Sequence, residues 1–595
     1  MLAHTLNCGK QIRAVRRWET LVLLIVYIFL IALSWRRWLS PIADSGRELD
    51  LPRRILGGEL LYRDIHYLYP PFAPYFKALL FRFFGADLAV LQWSGVIATL
   101  LVVLLILAIA GRLLGRREAM LAAVAVIVFC LFRPNGSMIS PYAYAALYGV
   151  VFSLGAVVAT LRFVETGRRT DILVAGLLTG LALITKQEFA LAAMFAAALA
   201  LLKGWPRNPF RHAALDGAAF LMPLLMIAVP VYAWFFYQVG WTTMVEDCHI
   251  FFTHLPEPMV IYNRRRTGLD RPLLSLLQMA GGGVVLALIA TILLSIANPQ
   301  LWRRKIIWAV LGGGMVAILV IRTIVGTEWD GSPLRFMPIL LILVLIRSRG
   351  RDLLLLSIAG YSLAILARVA LRVPSGGAFG SYFLPGSLVI LVWLLLDQFP
   401  TWAEHRGLIS RQSHLRRLVF GLLVTTLLVT SVINLVRYRK IYSFWVETPH
   451  GGFYAPAATG PVLAEAIDFI RRSSPPGAPL VVLPEGSELP FLTDRHYPLR
   501  HQILIPGLMS ASDEMEAIAT IDRLKVQYIM VVNRPMREFG FTAFGEDYYQ
   551  RLGQMIEERY RLSRVCGADG DQLARIGDRR FFIRIYERRA ELSVP

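Results

Sequence analysis

TLVLLIVYIFLIALSWRRWL, residues 20–39, leads into Ala43-Asp44-Ser45-Gly46-Arg47-Glu48 and, further along, Tyr67-Leu68-Tyr69-Pro70-Pro71. The first stretch is apolar and long enough to cross a bilayer core, which takes about 20 helical residues. A carboxylate therefore stands just outside the first span, ahead of a turn that Pro70 and Pro71 make rigid and Pro74 extends. Beyond it Phe72, Tyr75, Phe76, Leu79, Leu80, Phe83 and Phe84, with Lys77 and Arg82 interleaved, form an aromatic amphipathic stretch. Such a pattern suits a helix lying in the membrane interface, or the leading end of the next span.

The same hydrophobic pattern recurs along the chain. Of 595 residues 56% are hydrophobic and 17% charged, with a mean hydropathy of +0.55. A soluble protein carries about 25% charged residues, so this composition is that of a polytopic α-helical membrane protein. Thirteen spans are predicted, at 20–39, 86–111, 119–133, 143–161, 172–185, 189–202, 214–237, 274–297, 306–325, 333–346, 353–371, 383–396 and 418–436.

The net charge of +21 does not point to nucleic acid, because the excess sits in short loops between spans. Alternate loops hold Lys10/Arg13/Arg16/Arg17, Arg112/Arg116/Arg117, Arg162/Arg168/Arg169, Lys203/Arg207/Arg211, Arg303/Arg304/Lys305, Arg347/Arg349/Arg351 and Arg406/Arg411/Arg416/Arg417. The other short loops carry Arg133, Lys186, Arg335 and Arg372. The positive-inside rule places the first set in the cytoplasm, which puts the N-terminus inside and, after thirteen spans, the C-terminus outside. No small-residue cleavage site follows the first span, so no cleaved signal peptide is expected. Cys248 and Cys566 both fall outside, where a disulfide between them is an open alternative. No CxxC or HExxH spacing offers a metal motif.

Three external segments can hold chemistry: residues 40–85, 238–273 and the tail from 438 to 595. A membrane domain of residues 1–437 is thus followed by an extracytoplasmic domain of residues 438–595. In that tail the apolar runs shrink to strand length, as in 479–483, 528–532 and 581–586. Helical patterns at 462–472, 513–524 and 547–558 alternate with them, which predicts a small α/β domain. It carries no glycine-rich phosphate loop and no nucleophile elbow, so it is expected to bind or cover rather than catalyse.

Transfer of a sugar to a hydroxyl needs a base for the acceptor proton and cations for a departing phosphate. Asp44 is the candidate base. Ser45-Gly46-Arg47-Glu48 also fits a Ser-x-x-Glu capping box, which accounts for Glu48 without catalysis. Lys186, in Leu183-Ile184-Thr185-Lys186-Gln187-Glu188, stands between two spans at the outer surface. An ionisable group at membrane depth is costly and marks function, here a lipid-linked phosphate; the alternative is an interfacial lysine reaching to water or pairing with Glu188. Arg264, Arg265, Arg266 and Arg271 lie outside against the charge rule, and phosphate binding is one cause. Glu328, Asp330 and Arg335 sit in another outer loop, and His249 and His254 read as structural.

These pieces, in this order and on these sides, resemble the PMT-like branch of the GT-C superfamily. That branch includes protein O-mannosyltransferases and the bacterial lipid A aminoarabinose transferase. The matching residues are Asp44, Tyr69-Pro70-Pro71, the run Gly180 to Lys186, Arg335-Phe336-Met337-Pro338 and Ser381-Tyr382-Phe383-Leu384-Pro385. The resemblance implies a GT-C fold in a bacterial inner membrane and a polyprenyl-monophosphate sugar donor. It also implies an inverting single displacement onto a hydroxyl of a lipid, glycan or protein at the outer face. It assigns catalysis to Asp44 and donor phosphate to Lys186, to which the reading of the residues adds Glu48 for catalysis and Arg47, Arg264, Arg265 and Arg266 for the phosphate. Tyr69, Lys77, Glu328, Arg335 and Tyr382 are expected to line the donor and acceptor cavity. No cofactor is expected, although a divalent ion shared by Asp44 and Glu48 is an open alternative. The chain departs from relatives that carry lysine before the Pro-Pro pair, where it has Tyr69, and from those with Asp-Glu in the first loop, where Ser45 follows Asp44. Readings from other classes are a transporter or lipid flippase, a polymerase or ligase acting on diphosphate-linked oligosaccharides, and a non-catalytic scaffold.

Overall fold

In the computed structural model the described residues are 17–39, 42, 45–134, 136–203, 209–248, 255–326, 331–348, 352–373, 380–567, 576 and 580–590. Asp44, His249, His254, Glu328 and Asp330 lie outside them.

Each predicted span coincides with a helix. α1 (Arg17–Ser34) precedes two helices of the first loop, α2 (Ser45–Leu56) and α3 (Phe72–Phe84). Then come α4 (Leu88–Leu113), α5 (Arg116–Val126), α6 (Tyr144–Thr166), α7 (Arg169–Leu183), α8 (Gln187–Lys203) and α9 (Pro209–Val239). α10 (Trp241–Cys248) and α11 (Glu257–Thr267) occupy the second predicted external segment. α12 (Pro272–Ala297), α13 (Lys305–Val325), α14 (Met337–Ser348), α15 (Leu353–Leu366), α16 (Pro385–Trp393), α17 (Phe399–His405) and α18 (Gln412–Ile441) complete the helical region.

Among the described residues, seven helical stretches are long and apolar enough to cross a membrane: Leu88–Leu113, Tyr144–Thr166, Ala214–Val239, Glu257–Ala297, Lys305–Val325, Pro385–His405 and Gln412–Ile441. Trp18–Ser34, Gln187–Leu202 and Leu353–Leu366 are apolar but shorter. Helix length therefore does not establish the expected thirteen crossings. α7 has 15 residues; at about 1.5 Å of rise per residue it falls short of the ~30 Å hydrocarbon core.

Charged residues in the loops expected on the cytoplasmic side pair with residues of neighbouring helices. Arg112 pairs with Glu165 at 2.9 Å, Arg169 with Asp216 at 3.1 Å and Arg416 with Glu118 at 2.8 Å. Elsewhere glycine permits close helix contact. A Cβ on Gly176 would lie 2.0 Å from the Phe220 carbonyl oxygen, and one on Gly180 2.9 Å from that of Leu224. This small-xxx-small stripe lets the backbones of α7 and α9 touch and fixes where the chain leaves α7 toward Lys186.

The tail begins with a two-stranded antiparallel ribbon, β1 (Tyr442–Val446) and β2 (Phe453–Pro456). After α19 (Gly460–Ser473) come β3 (Leu480–Leu483), α20 (Glu488–Leu492), α21 (Ala511–Arg523), β4 (Tyr528–Val532), α22 (Gln550–Arg559), β5 (Tyr560–Cys566) and β6 (Ile583–Arg588). The sheet order is β3-β4-β6-β5, with β3 and β4 parallel and the other neighbours antiparallel. Successive strand residues point to opposite faces. Leu480, Val482, Met530 and Val532 accordingly join a core continuous with the helical region, while Val481, Leu483, Ile529 and Val531 build a second core with α21, α22 and Met259 of α11. Cys248 and Cys566 are both free, each buried in a different core, which answers the open question of their pairing.

Candidate active site at the first external loop

The first loop folds back on the helical region through α3. Its buried residues Ala73, Lys77 and Phe81, with Pro74 and Ala78 beside them, recur every four positions and form one helix face. Phe83 and Phe84, more than 70% exposed, project from another. Lys77 is thus carried inward, where it is fully buried.

Its partner is Glu48, in the first turn of α2. Lys77 Nζ lies 2.7 Å from Glu48 Oε2 and also donates to the Glu48 backbone carbonyl at 2.7 Å. The Tyr144 backbone N–H donates to the same Oε2 at 3.1 Å, and Arg47 Nε stands 3.5 Å from Oε1. Burial pushes the Glu48 carboxyl upward, but Lys77, Arg47 and the Tyr144 amide outweigh it and hold its pKa below the ordinary carboxylate value. Glu48 is therefore an ionised, committed carboxylate, suited to holding Lys77 and α2 in place and not to collecting a proton. Its carboxylate meets α3 and α6 through these contacts.

Arg47 points to the same region. Its guanidinium donates to the Tyr142 carbonyl at 3.2 Å and lies 5.3 Å from the Tyr69 ring centre and 5.8 Å from that of Tyr67. Tyr67 is fully buried, and its hydroxyl has no hydrogen-bond partner among the described residues. The Tyr-Pro-Pro turn is tied to the end of α7 by the Phe72 N–H, which donates to the Ile184 carbonyl at 3.0 Å. That bond brings Tyr69 to Lys186.

Lys186 is 3% exposed. Its Nζ donates to the Tyr142 hydroxyl at 2.6 Å, stands 3.0 Å from Glu188 Oε1, and lies 4.7 Å and 4.9 Å from the ring centres of Tyr69 and Tyr142. Tyr382 completes the aromatic group edge-on to Tyr142, ring centres 5.3 Å apart. Two cations, Arg47 and Lys186, thus share Tyr69 and Tyr142, with Glu188 the anion on the Lys186 side. Such an arrangement can hold a phosphate.

Two apolar grooves are lined in part by this segment. One, of about 600 Å³, is lined by Leu183, Gln187, Tyr232, Phe236 and Trp241 among others. The second, of about 570 Å³, runs along Pro71, Phe72, Phe76, Ile184, Trp234 and Phe235. Lys186 sits in sequence between the linings of the two.

The other described candidates sit on other elements. Arg264, Arg265 and Arg266 are exposed on α11, with Arg266 over Tyr262 at 5.1 Å and Tyr262 stacked on Phe539 of the tail. Arg335 is buried against Gln278 of α12. Among the described residues no group of three His, Cys, Asp or Glu side chains could hold a metal ion.

The tail closes over the first loop from the opposite side. Arg54 donates to the Leu499 carbonyl at 2.8 Å, Gln502 to Asp50 at 2.8 Å, and Arg500 to Asp247 at 2.7 Å. His66 stacks on His501, ring centres 4.5 Å apart, and the His66 backbone N–H donates to the Arg500 carbonyl at 2.9 Å. Sequence reasoning missed Tyr142 and Tyr144, whose signal was the aromatic run Tyr142-Ala143-Tyr144 at the head of a span. It had no means of finding the tail residues that meet α2.

Comparison with known proteins agrees with the resemblance over part of the chain. A family model described as dolichyl-phosphate-mannose-protein mannosyltransferase matches residues 69–234, from the Tyr-Pro-Pro turn through α9. No curated protein matches the chain significantly. Among solved structures, the oligosaccharyltransferase of Archaeoglobus fulgidus is 11% identical with a TM-score of 0.44, over 86% of this chain and 68% of that one. ArnT from Cupriavidus metallidurans bound to undecaprenyl phosphate is 15% identical, TM-score 0.41, over 95% and 97%. The mycobacterial arabinofuranosyltransferase AftD is 14% identical, TM-score 0.43; the match spans 96% of this chain and 41% of that one. These structural likenesses are too distant to carry an argument.

Proposed function

We propose that this protein is a GT-C membrane glycosyltransferase that moves a sugar from a polyprenyl-monophosphate carrier to a hydroxyl at the outer face. The observation that carries the reading is Lys186: a buried ammonium over the rings of Tyr69 and Tyr142, sharing Tyr69 with Arg47 and standing in sequence between residues that line two apolar grooves. A phosphate on a lipid tail has its charge and its hydrocarbon satisfied at one place there. The family match over residues 69–234 supports the same class.

In this reading Asp44, immediately before α2, takes the proton from the acceptor hydroxyl. The hydroxyl oxygen bonds to the anomeric carbon as the carbon–phosphate oxygen bond breaks on the other side, which inverts the centre. Lys186 and Arg47 neutralise the charge gathering on the leaving phosphate. Glu48 and Lys77 hold the first turn of α2 against α3 and α6. Glu48's committed ion pair leaves the base role to Asp44.

The test is purified protein with undecaprenyl phosphates carrying mannose, glucose, galactose, arabinose or aminoarabinose, with release of undecaprenyl phosphate followed by mass spectrometry. Turnover of one donor that disappears with Asp44→Asn supports the proposal. Absence of turnover across the panel, with and without cell-envelope lipid extract as acceptor, refutes it.

A further inference from the structure

Glu488 is 1% exposed, and among the described residues neither carboxyl oxygen has a hydrogen-bond partner. It belongs to the tail, in the segment Pro484–Ser487 and α20 that follows β3, beside the residues Asn533 and Arg534 that follow β4. β3 and β4 are parallel neighbours, so the residues that follow the two strands stand at one end of the sheet. That end presses on the first turn of α2. A Cβ built on Gly46 would stand 2.3 Å from the Glu488 backbone nitrogen, 2.6 Å from Glu488 Oε2 and 2.6 Å from Ser487 Oγ. The carboxyl group therefore occupies the space that a side chain at position 46 would fill. α20 is anchored there by Phe491, which stacks on Phe81 of α3 with ring centres 6.0 Å apart and lies under Arg53 at 5.7 Å.

Gly46 directly precedes the proposed phosphate ligand, Arg47. The transferred sugar has to lie beside that phosphate, since its anomeric carbon is joined to it. A group resting on Gly46 is therefore beside the sugar. We propose that Glu488 is a sugar-binding residue, its carboxyl group hydrogen-bonding a carbohydrate hydroxyl that spans the seam between the tail and the first loop. The inference rests on the glycosyltransferase reading above. Burial, reinforced by the Glu485 carboxylate and opposed by the Glu488 amide, raises the pKa of Glu488 well above the ordinary value. A neutral carboxyl both donates and accepts one hydrogen bond, as a sugar hydroxyl does. A buried polar group without a partner calls for an explanation, and a hydroxyl supplied by substrate is one.

The experiment compares wild type, Glu488→Gln and Glu488→Leu in the full chain. Two readouts are used: turnover of the undecaprenyl-phosphate sugar that wild type consumes, and binding of undecaprenyl phosphate, which carries no sugar. Glu488→Leu should lower kcat/KM by about ten- to a hundredfold, the cost of leaving one buried hydroxyl unpaired, with undecaprenyl phosphate affinity unchanged. Glu488→Gln, which keeps a donor and an acceptor, should stay within about threefold and lack the fall in kcat/KM that wild type shows as rising pH ionises Glu488. A rise in the donor KM places the hydroxyl on the transferred sugar; a rise in the acceptor KM alone places it on an acceptor sugar. Wild-type turnover by Glu488→Leu, equal loss of undecaprenyl phosphate binding, or equal defects in the two variants would each overturn the assignment. A wild type that turns over no donor would overturn the glycosyltransferase reading, and this one with it.

Discussion

Lys77→Met, Glu48→Gln and the double variant should have strongly non-additive effects on stability. Lys77 has no exposed surface and Glu48 is 2% exposed, so each single change strands a group in a dry site. Removing one partner of a buried ion pair costs about 3–5 kcal/mol. Glu48 retains the Tyr144 N–H at 3.1 Å and Arg47 at 3.5 Å, which puts Lys77→Met near the lower end, about 3 kcal/mol. Glu48→Gln leaves an ammonium facing an amide oxygen and should cost about the same. In the double variant the Lys77 and Glu48 charges go together and only Arg47's 3.5 Å contact with Glu48 is lost, the Gln carbonyl still accepts from Tyr144 N–H, and Met replaces the lysine stem. Its cost should fall about 3 kcal/mol short of the sum, at the upper end of measured couplings. The pH dependence has a definite sign. Because Glu48's folded pKa is depressed, its contribution is present above the unfolded value of about 4.3 and is lost as pH falls through the folded value. Wild type should lose stability in that acid window, and Glu48→Gln should lose less. Reversible unfolding in mixed micelles, followed by tryptophan fluorescence across pH, measures both. Additive costs within about 0.5 kcal/mol, or Lys77→Met costing less than about 1 kcal/mol, would refute the claim that the pair is a dry, interacting unit.

Lys186→Met should weaken undecaprenyl phosphate binding about ten- to a hundredfold, the worth of one charge-assisted contact, whereas Glu188→Gln, by freeing the ammonium from its 3.0 Å partner, should tighten it; titration by fluorescence checks the opposite signs. Asp44→Asn should abolish turnover while leaving that affinity within about threefold, since the amide keeps the shape but takes no proton. Truncation near Arg439 should lower both activity and the yield of folded protein, because one core runs from the helical region into β3, β4 and β6; a truncated protein with full stability by thermal scanning would contradict this. Reporter fusions after Arg417 and after Pro595 should show opposite sidedness, as the alternating basic loops require.

What the sequence determined by itself rests on one-dimensional signals. Apolar runs located the helices because a span must bury its backbone polar groups within itself, and the basic loops told one end of the bundle from the other. The Tyr69-Pro70-Pro71 turn and the Gly180 to Lys186 run were legible because proline and glycine restrict the backbone locally. Tertiary structure decided the rest. Lys77 and Glu48 are partners because the four-residue stripe of α3 turns Lys77 inward onto α2, a fact that neither segment states alone. Lys186 becomes a phosphate candidate with a built surround only when Tyr69 and Tyr142 arrive from other segments, while Arg264, Arg265 and Arg266, equally basic in sequence, are carried off on α11 toward the tail. Glu488 was invisible: an acid after a strand reads as a loop residue until the sheet presents it to Gly46. Periodicity records which face of an element is buried, but not what the other element brings to it. That is fixed by packing between distant segments, where the chemistry of this site lies.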